Sequence, residues 1–111
     1  MIKSMGIVQI SMHARDEKRK ELLSTCQFIS DQTRQRAGCQ MSRVSQDIDN
    51  KNIIRLEQQW EQWSSLIDYL RSDHFSALLG AMKWLGRSYE IRVNRGTRED
   101  GMDIVRRARG K

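Results

Sequence analysis

The sequence predicts an α+β domain, in which a four-stranded antiparallel sheet is covered by helices on one face. Segments with apolar residues at every second position, a pattern typical of strands, alternate with segments that repeat at i, i+3, i+4 and i+7, a pattern typical of helices. A short polar turn joins the second and third strands, which favours an antiparallel pair. The order strand, helix, strand, strand, helix pair, strand is the ferredoxin-like split βαβ arrangement.

The first half of the chain supplies three strands and one helix. We expect the first strand over Met5–Ala14, with Val8, Ile10 and Met12 on its apolar face. A helix capped by Asp16 is predicted to run to about Ala37, where Gly38 ends it. Its apolar face carries Leu22, Cys26, Ile29 and Thr33. The second strand is predicted over Cys39–Ile48, and the third over Ile53–Gln59 after the turn at 49–52.

Two short helices are predicted after the third strand. Trp63, Leu66, Ile67 and Leu70 form one apolar stripe, and Phe75, Leu78, Leu79 and Met82 form the next. Ser72 between them suits an N-cap, because its hydroxyl can accept from a free amide of the second helix. Gly86 suits the position just after that helix, where a residue in the left-handed conformation closes it. The last strand is predicted over Ser88–Asn94, so that residues 1–95 form the domain and residues 96–111 a basic tail.

Composition limits the class of protein. With 38% hydrophobic and 31% charged residues, the chain has the balance of a globular protein. It has no apolar run of the roughly 20 residues that cross a bilayer, and no signal peptide is recognised, so we expect a cytoplasmic protein without a membrane partner. Its two cysteines and two histidines lack metal-ligand spacing, so we expect no metal.

The uncovered sheet face predicts a second copy as partner. A bare, partly apolar face in a chain of 111 residues favours burial against another molecule. Two such sheets that pack face to face would bury it symmetrically. We therefore expect a homodimer through the sheet face.

The run Trp60 to Phe75, WEQWSSLIDYLRSDHF, resembles the signature of the antibiotic biosynthesis monooxygenase superfamily. Trp60 matches its strand-end aromatic, and Tyr69 stands nine residues later where many members carry His. Ser72, His74 and Phe75 match the entry to the second helix. The resemblance implies a dimeric α+β barrel with a pocket between the sheet and helices of each protomer. Members include cofactor-independent oxygenases that act on quinols or polyphenols.

The resemblance implies a small aromatic ligand and a set of site residues. Trp60 and Phe75 would hold its ring, Tyr69 would orient an oxygen, and His74 would take a proton, because the unperturbed pKa of an imidazole lies near ~6.5. Gln9, Ser11 and Gln58 are polar strand residues that could face the pocket. No cofactor is required, because the substrate anion itself supplies electrons to O₂.

Three alternatives accompany this interpretation. A non-catalytic binding or regulatory module on the same fold stays open, because the set of polar pocket residues is incomplete. Haem degradation is disfavoured, because its iron-ligand position falls on Leu79 and the nearest amide on the first strand is Gln9 rather than asparagine. RNA binding is disfavoured despite a net charge of +6, because the central strands lack stacking aromatics before Trp60. We therefore expect no nucleic-acid partner.

Overall fold

The computed structural model describes residues 4–97 and 101–110. Its strands are β1 (Ser4–Ala14), β2 (Cys39–Gln46), β3 (Ile53–Trp60) and β4 (Gly86–Thr97), and its α-helices are α1 (Arg19–Arg34), α2 (Trp63–Leu70), α3 (Asp73–Leu85) and α4 (Gly101–Ala108). One turn of 3-10 helix, Asp16–Lys18, precedes α1. The strands form one sheet in the order β2-β3-β1-β4, with each neighbouring pair antiparallel. The predicted α+β, ferredoxin-like fold is confirmed.

The core lies between one face of this sheet and helices α1 to α3. On the central strand β1, Ile10 pairs with Leu56 of β3 and Ile91 of β4. Even-numbered residues of β1 from Gly6 onward, and those of β3, are buried, as the predicted alternation requires. Cys26 of α1 lies against Met12, with a sulfur–sulfur distance of 3.6 Å. The odd-numbered residues of β1 face away from the helices.

Two elements, α1 and β2, end earlier in the structure than predicted. Helix α1 stops at Arg34 rather than near Ala37, and Gly38 lies in the following turn with φ +86°. Strand β2 stops at Gln46 because the Asp47 carboxylate accepts the backbone amides of Asp49 and Asn50, which closes a turn. Ile48, predicted in the strand, is 93% exposed in that turn.

Two predicted helix-end roles are wrong. Asp16 does not cap α1; its carboxylate accepts a hydrogen bond from the side chain of Asn52. Gly86 is not left-handed, since its φ is −103° and it begins β4. Glycine is needed there for another reason, because a Cβ would lie 2.6 Å from the carbonyl oxygen of Met82.

The predicted break between α2 and α3 is present at Ser72. Its hydroxyl accepts from the amide of Phe75 at 3.2 Å and donates to the carbonyl oxygen of Tyr69 at 2.6 Å. The N-cap prediction is therefore confirmed. The same serine also satisfies a backbone carbonyl at the end of α2.

The last strand is longer than predicted, and a short fourth helix follows it. Strand β4 continues to Thr97, past the predicted boundary at residue 95. Helix α4 carries exposed Met102, Ile104 and Val105 beside Arg106 and Arg107. Across the described ranges, no helix combines the length and apolar character needed to span a bilayer.

Candidate active site

An aromatic cluster lies between the sheet and the helix pair. The end of β3 contributes Trp60, α2 contributes Tyr69, and the start of α3 contributes Phe75. The rings of Trp60 and Tyr69 stack with centroids 4.8 Å apart, and Phe75 meets Tyr69 edge-on at 5.3 Å. These geometries are favourable for aromatic pairs. The fold thus brings together three residues that the sequence placed in one pocket.

Gln58 adds a polar group to this cluster. It lies two residues before Trp60 on the same core-facing side of β3, and its side-chain nitrogen donates to the hydroxyl of Tyr69 at 3.0 Å. Gln58 and Tyr69 are both 0% exposed. The bond therefore fixes the tyrosine hydroxyl in a region from which solvent is excluded.

Two buried polar atoms of the cluster lack partners within the described residues. They are the amide oxygen Oε1 of Gln58 and the indole nitrogen Nε1 of Trp60, whose side chain is 1% exposed. Native proteins satisfy most such atoms, because an unpaired buried group costs about 1–3 kcal/mol. One free acceptor and one free donor beside stacked rings suit a small aromatic molecule with hydroxyl groups.

The hydroxyl of Tyr69 stays protonated at neutral pH. Burial raises the pKa of Tyr69, because the charged phenolate would lose its hydration. Hydrogen bonds with Gln58 and Thr33 and the charge of Arg36 act in the opposite direction without reversing the shift. Tyr69 is therefore suited to donate and accept hydrogen bonds, and not to act as a base.

His74 lies at the edge of the cluster, with its ring centroid 6.2 Å from that of Tyr69. Its Nε2 lies 2.9 Å from the hydroxyl of Thr33 and 3.2 Å from the carbonyl oxygen of Ile29. A carbonyl only accepts, so Nε2 of the neutral ring carries the hydrogen. Within the described residues Nδ1 has no hydrogen-bond partner, and it is the nitrogen left to accept a proton.

The structure does not bring Gln9 and Ser11 to this cluster. They alternate with the buried residues of β1 and so lie on the open face of the sheet, where they line a cleft of about 330 Å³ with charged residues of β3 and β4. They cannot contact a ligand held between the sheet and the helices. Contrary to expectation, Gln9 and Ser11 therefore do not share a pocket with Gln58.

Two residues near the cluster were not predicted. Thr33 of α1 donates to the carbonyl oxygen of Ile29 at 2.8 Å and contacts His74. Arg36, in the turn after α1, places its guanidinium carbon 5.8 Å from the centroid of the Tyr69 ring. For Thr33, the one available signal in the sequence was the presence of a threonine on the apolar stripe of α1. A turn arginine carries no comparable signal.

Metal ligation has no support in the described ranges. They contain no group of three or more His, Cys, Asp or Glu side chains arranged to hold a metal ion. Cys26 is buried and Cys39 partly buried, and both are free thiols. Burial raises the pKa of Cys26 to about 11, so its thiol is a poor ligand and a poor nucleophile near neutrality.

Comparisons with known proteins agree with this architecture. A family model described as antibiotic biosynthesis monooxygenase matches residues 5–80. Among solved structures, a Deinococcus radiodurans protein provisionally assigned as such a monooxygenase superposes with a TM-score of 0.80 at 20% identity, covering 86% of this chain and 96% of that one. A search of curated proteins finds no match.

Two further structures share the fold. Protein SO0527 of Shewanella oneidensis gives a TM-score of 0.78 at 14% identity, covering 87% of this chain and 96% of that one. A conserved protein of Methanosarcina mazei Go1 gives 0.73 at 24% identity, covering 83% and 91%. At these identities the likeness establishes the fold and leaves the chemistry to be argued from the site.

Proposed function

Because the chain belongs to the antibiotic biosynthesis monooxygenase family, we propose that it is a cofactor-independent monooxygenase acting on a small quinol-like aromatic. The observation that carries the proposal is the pair of unpaired buried atoms, Oε1 of Gln58 and Nε1 of Trp60. They lie among aromatic rings between the sheet and the helices. A bound quinol would supply a hydroxyl donor to the first and an oxygen acceptor to the second.

The proposed reaction draws its electrons from the substrate. Loss of a proton makes the quinol ring electron-rich, and the anion passes electrons to O₂. One oxygen atom forms a new carbon–oxygen bond and the other leaves as water, so that quinol plus O₂ gives hydroxyquinone plus water. The four electrons that O₂ accepts come from the quinol, and no external reductant is needed.

In this proposal each residue of the cluster has a distinct role. Trp60 and Phe75 hold the ring through stacking and edge contacts, since both flank Tyr69. The hydroxyl of Tyr69, fixed by Gln58, orients a substrate oxygen. His74 accepts the substrate proton at Nδ1, because Nε2 already donates to a backbone carbonyl.

The test is O₂ uptake by metal-free and flavin-free protein with a panel of quinols and polyphenols. His74→Ala should lower the rate by about 10²–10⁴-fold with little loss of binding, which is the usual effect of removing a general base. His13→Ala is the matched control, because His13 is the other histidine and its side chain lies on the open sheet face. Full activity in His74→Ala would remove this residue from the mechanism.

A second outcome would favour a different function. If the protein binds quinols but consumes no O₂ with any of them, the fold serves as a binding or regulatory module. The full burial of Tyr69 and Gln58 is compatible with either role. Turnover therefore decides between them.

We also propose that the protein forms a homodimer through the open sheet face. Half-buried apolar residues on that face, Met5, Ile7, Met41 and Ile53, offer contact area. Two neighbouring rows of side chains cross this face between the apolar residues. One row consists of Arg43, Glu57, Gln9 and Arg92, and the other of Ser45, Arg55, Ser11 and Glu90.

The two rows are complementary to each other in charge. A twofold axis between two facing sheets, perpendicular to the strands and passing between the rows, would set one row over the other. Glu57 would then face the partner's Arg55. Arg92 would face the partner's Glu90, and Gln9 the partner's Ser11. Isologous pairing of this kind is what a symmetric dimer requires, and such charges chiefly fix specificity and register.

We further propose a reducing location such as the cytoplasm. Both cysteines are free, and reducing compartments keep thiols in that state. Recovery of the native protein from a secreted fraction would contradict this proposal.

A further inference from the structure

A cleft of about 330 Å³ opens beside the aromatic cluster, between the turn that follows α1 and helix α2. It is lined by Arg36, Ala37, Trp60, Ser65 and Asp68. Trp60 therefore lines this cleft while its ring stacks in the cluster. The cleft thus leads from the surface to the cluster.

The turn that forms one wall of this cleft is fixed in place. The carbonyl oxygen of Gly38 accepts the amide of Glu61 at 2.8 Å. A Cβ at Gly38 would lie 2.7 Å from the hydroxyl oxygen of Ser65, so the turn is in close contact with α2. Backbone movement is therefore a poor way to widen the cleft, and access to the cluster depends on side chains.

Arg36 both lines the cleft and approaches Tyr69. Its guanidinium carbon lies 5.8 Å from the centroid of the tyrosine ring, in the range of a cation–π contact. Within residues 4–97 and 101–110 it forms no ion pair, although five other cations of the chain do. A half-buried guanidinium that forms no ion pair within the described residues, in a cleft beside an aromatic cluster, is suited to bind an anion.

We propose that this cleft admits the substrate and that Arg36 binds a carboxylate on its aromatic ring. The inference rests on the proposed function and adds the substrate class, a quinol that carries a carboxylate. A ring that displaces the guanidinium from the face of Tyr69 leaves the arginine within reach of a substituent on that ring. The planar guanidinium can then donate two parallel hydrogen bonds to the carboxylate.

Asp68 gives the site a second charged residue of opposite sign. It lines the same cleft and is exposed, whereas Arg36 is half-buried nearer the cluster. Its carboxylate would weaken the binding of an anion at the mouth. Removal of either charge should therefore change affinity for an aromatic carboxylate, and the two changes should have opposite signs.

The experiment compares two quinols of nearly equal shape, 2,5-dihydroxybenzoate and its uncharged amide 2,5-dihydroxybenzamide. Calorimetric titration without O₂ at pH 7 measures binding independently of turnover. The native protein should bind the carboxylate more tightly than the amide. Arg36→Gln should weaken carboxylate binding by roughly tenfold or more, as loss of a charged hydrogen-bond pair predicts, and leave amide binding within about twofold.

Three further variants sharpen the test. Asp68→Asn should strengthen carboxylate binding, and Arg36→Lys should retain part of the preference because the charge remains. Arg87→Gln is the control, because it removes the same charge from an exposed position at the opposite end of the sheet. These variants keep the proposal testable if Arg36→Gln fails to fold.

The outcomes separate this inference from the proposed function. Equal affinity of the native protein for the two quinols, or equal loss of both in Arg36→Gln, would overturn the role of Arg36 even if the quinols are oxidised. Selective binding of the carboxylate through Arg36 with no O₂ uptake would support the inference and refute the oxygenase proposal. Failure of both quinols to bind would refute the inference.

Discussion

The side-chain nitrogen of Gln58 donates a hydrogen bond to the hydroxyl oxygen of Tyr69, 3.0 Å away. The bond joins the end of β3 to the end of α2 inside the core. Both residues are fully buried, so neither group has access to water as a substitute partner. The stability of this region should therefore depend on the two residues as a pair.

Tyr69→Phe should lower the free energy of unfolding by about 1–3 kcal/mol, because it leaves the amide nitrogen of Gln58 buried without an acceptor. Combining it with Gln58→Leu should cost less than the sum of the two single changes, since both polar groups are then gone. Urea denaturation measures all three variants. Tyr89→Phe, at a partly exposed tyrosine of β4, is the control. Additive effects would show that the bond contributes nothing.

Stability should fall as the pH rises from about 9 to about 11, and Cys26 should account for part of the loss. Burial raises the pKa of this thiol from 9.0 to about 11, so over this range the unfolded chain releases its proton while the folded protein keeps it. The unfolded state then binds fewer protons, and stability decreases with pH. Each pKa unit corresponds to about 1.4 kcal/mol, so the loss at this site is roughly 2–3 kcal/mol.

Cys26→Ala isolates this contribution. The variant should show a shallower decline of unfolding free energy between pH 9 and 11 than the native protein, whatever its stability at pH 7. Denaturant titrations at several pH values provide the comparison. Parallel pH profiles for the two proteins would contradict the prediction.

Two glycine-to-alanine changes should act in opposite directions. Gly38→Ala should destabilise the protein, because φ is +86° and the new Cβ would lie 2.7 Å from the hydroxyl oxygen of Ser65. Gly80→Ala should stabilise it by roughly 0.5–1 kcal/mol, because this exposed position in α3 has nothing within 4 Å of a new Cβ. Thermal unfolding of both variants gives the comparison. Ser65→Ala added to Gly38→Ala should recover only the part of the loss caused by the hydroxyl, because the Cβ of residue 65 would still lie 2.9 Å from the new Cβ.

Charge reversal on the open face should test the proposed dimer. Glu90→Arg sets a cation against the partner's Arg92, and should weaken dimerisation by roughly tenfold, in line with the cost of like charges at an interface. The double change Glu90→Arg with Arg92→Glu restores opposite charges within and between protomers, and should restore the dimer. Sedimentation at micromolar concentration gives the dissociation constants. Glu61→Arg, exposed after the end of β3, is the control.

A strictly monomeric native protein of 13.1 kDa under these conditions would refute the sheet-face dimer. Equal dissociation constants for the native protein, the single variant and the double variant would also contradict the proposed charge pairing, because the charge register would then play no part.

Local signals explain most of what the sequence predicted. The alternation of Val8, Ile10 and Met12 placed β1 correctly, because a half-buried strand must send every second residue to the core. Ser72 was recognised as an N-cap because the cap is a contact within four residues. The family resemblance, carried by Trp60, Tyr69 and Phe75, is confirmed by the match over residues 5–80.

The remaining features depend on contacts between distant parts of the chain. Gly86 was read as a helix end, but its small size is required by the approach of the Met82 carbonyl oxygen. Arg36 lies in a turn, and only the packing of α1 against the rest of the fold brings it over Tyr69. The side of a polar strand residue follows from the same alternation. Gln58 shares the buried side of β3, and Gln9 lies opposite the buried side of β1, a distinction that the expectation of a common pocket overlooked.

The double hydrogen bond of Ser72 should restrict the motion of α2 relative to α3. One hydroxyl holds the last turn of α2 and the first turn of α3, so the two helices should rotate together as a rigid elbow. In hydrogen-exchange measurements the amides of Ser72 and Phe75 should open in the same cooperative event. A ligand that reaches Tyr69 would therefore find a fixed wall on the elbow side. It must displace side chains on the opposite side, where the turn after α1 carries Arg36.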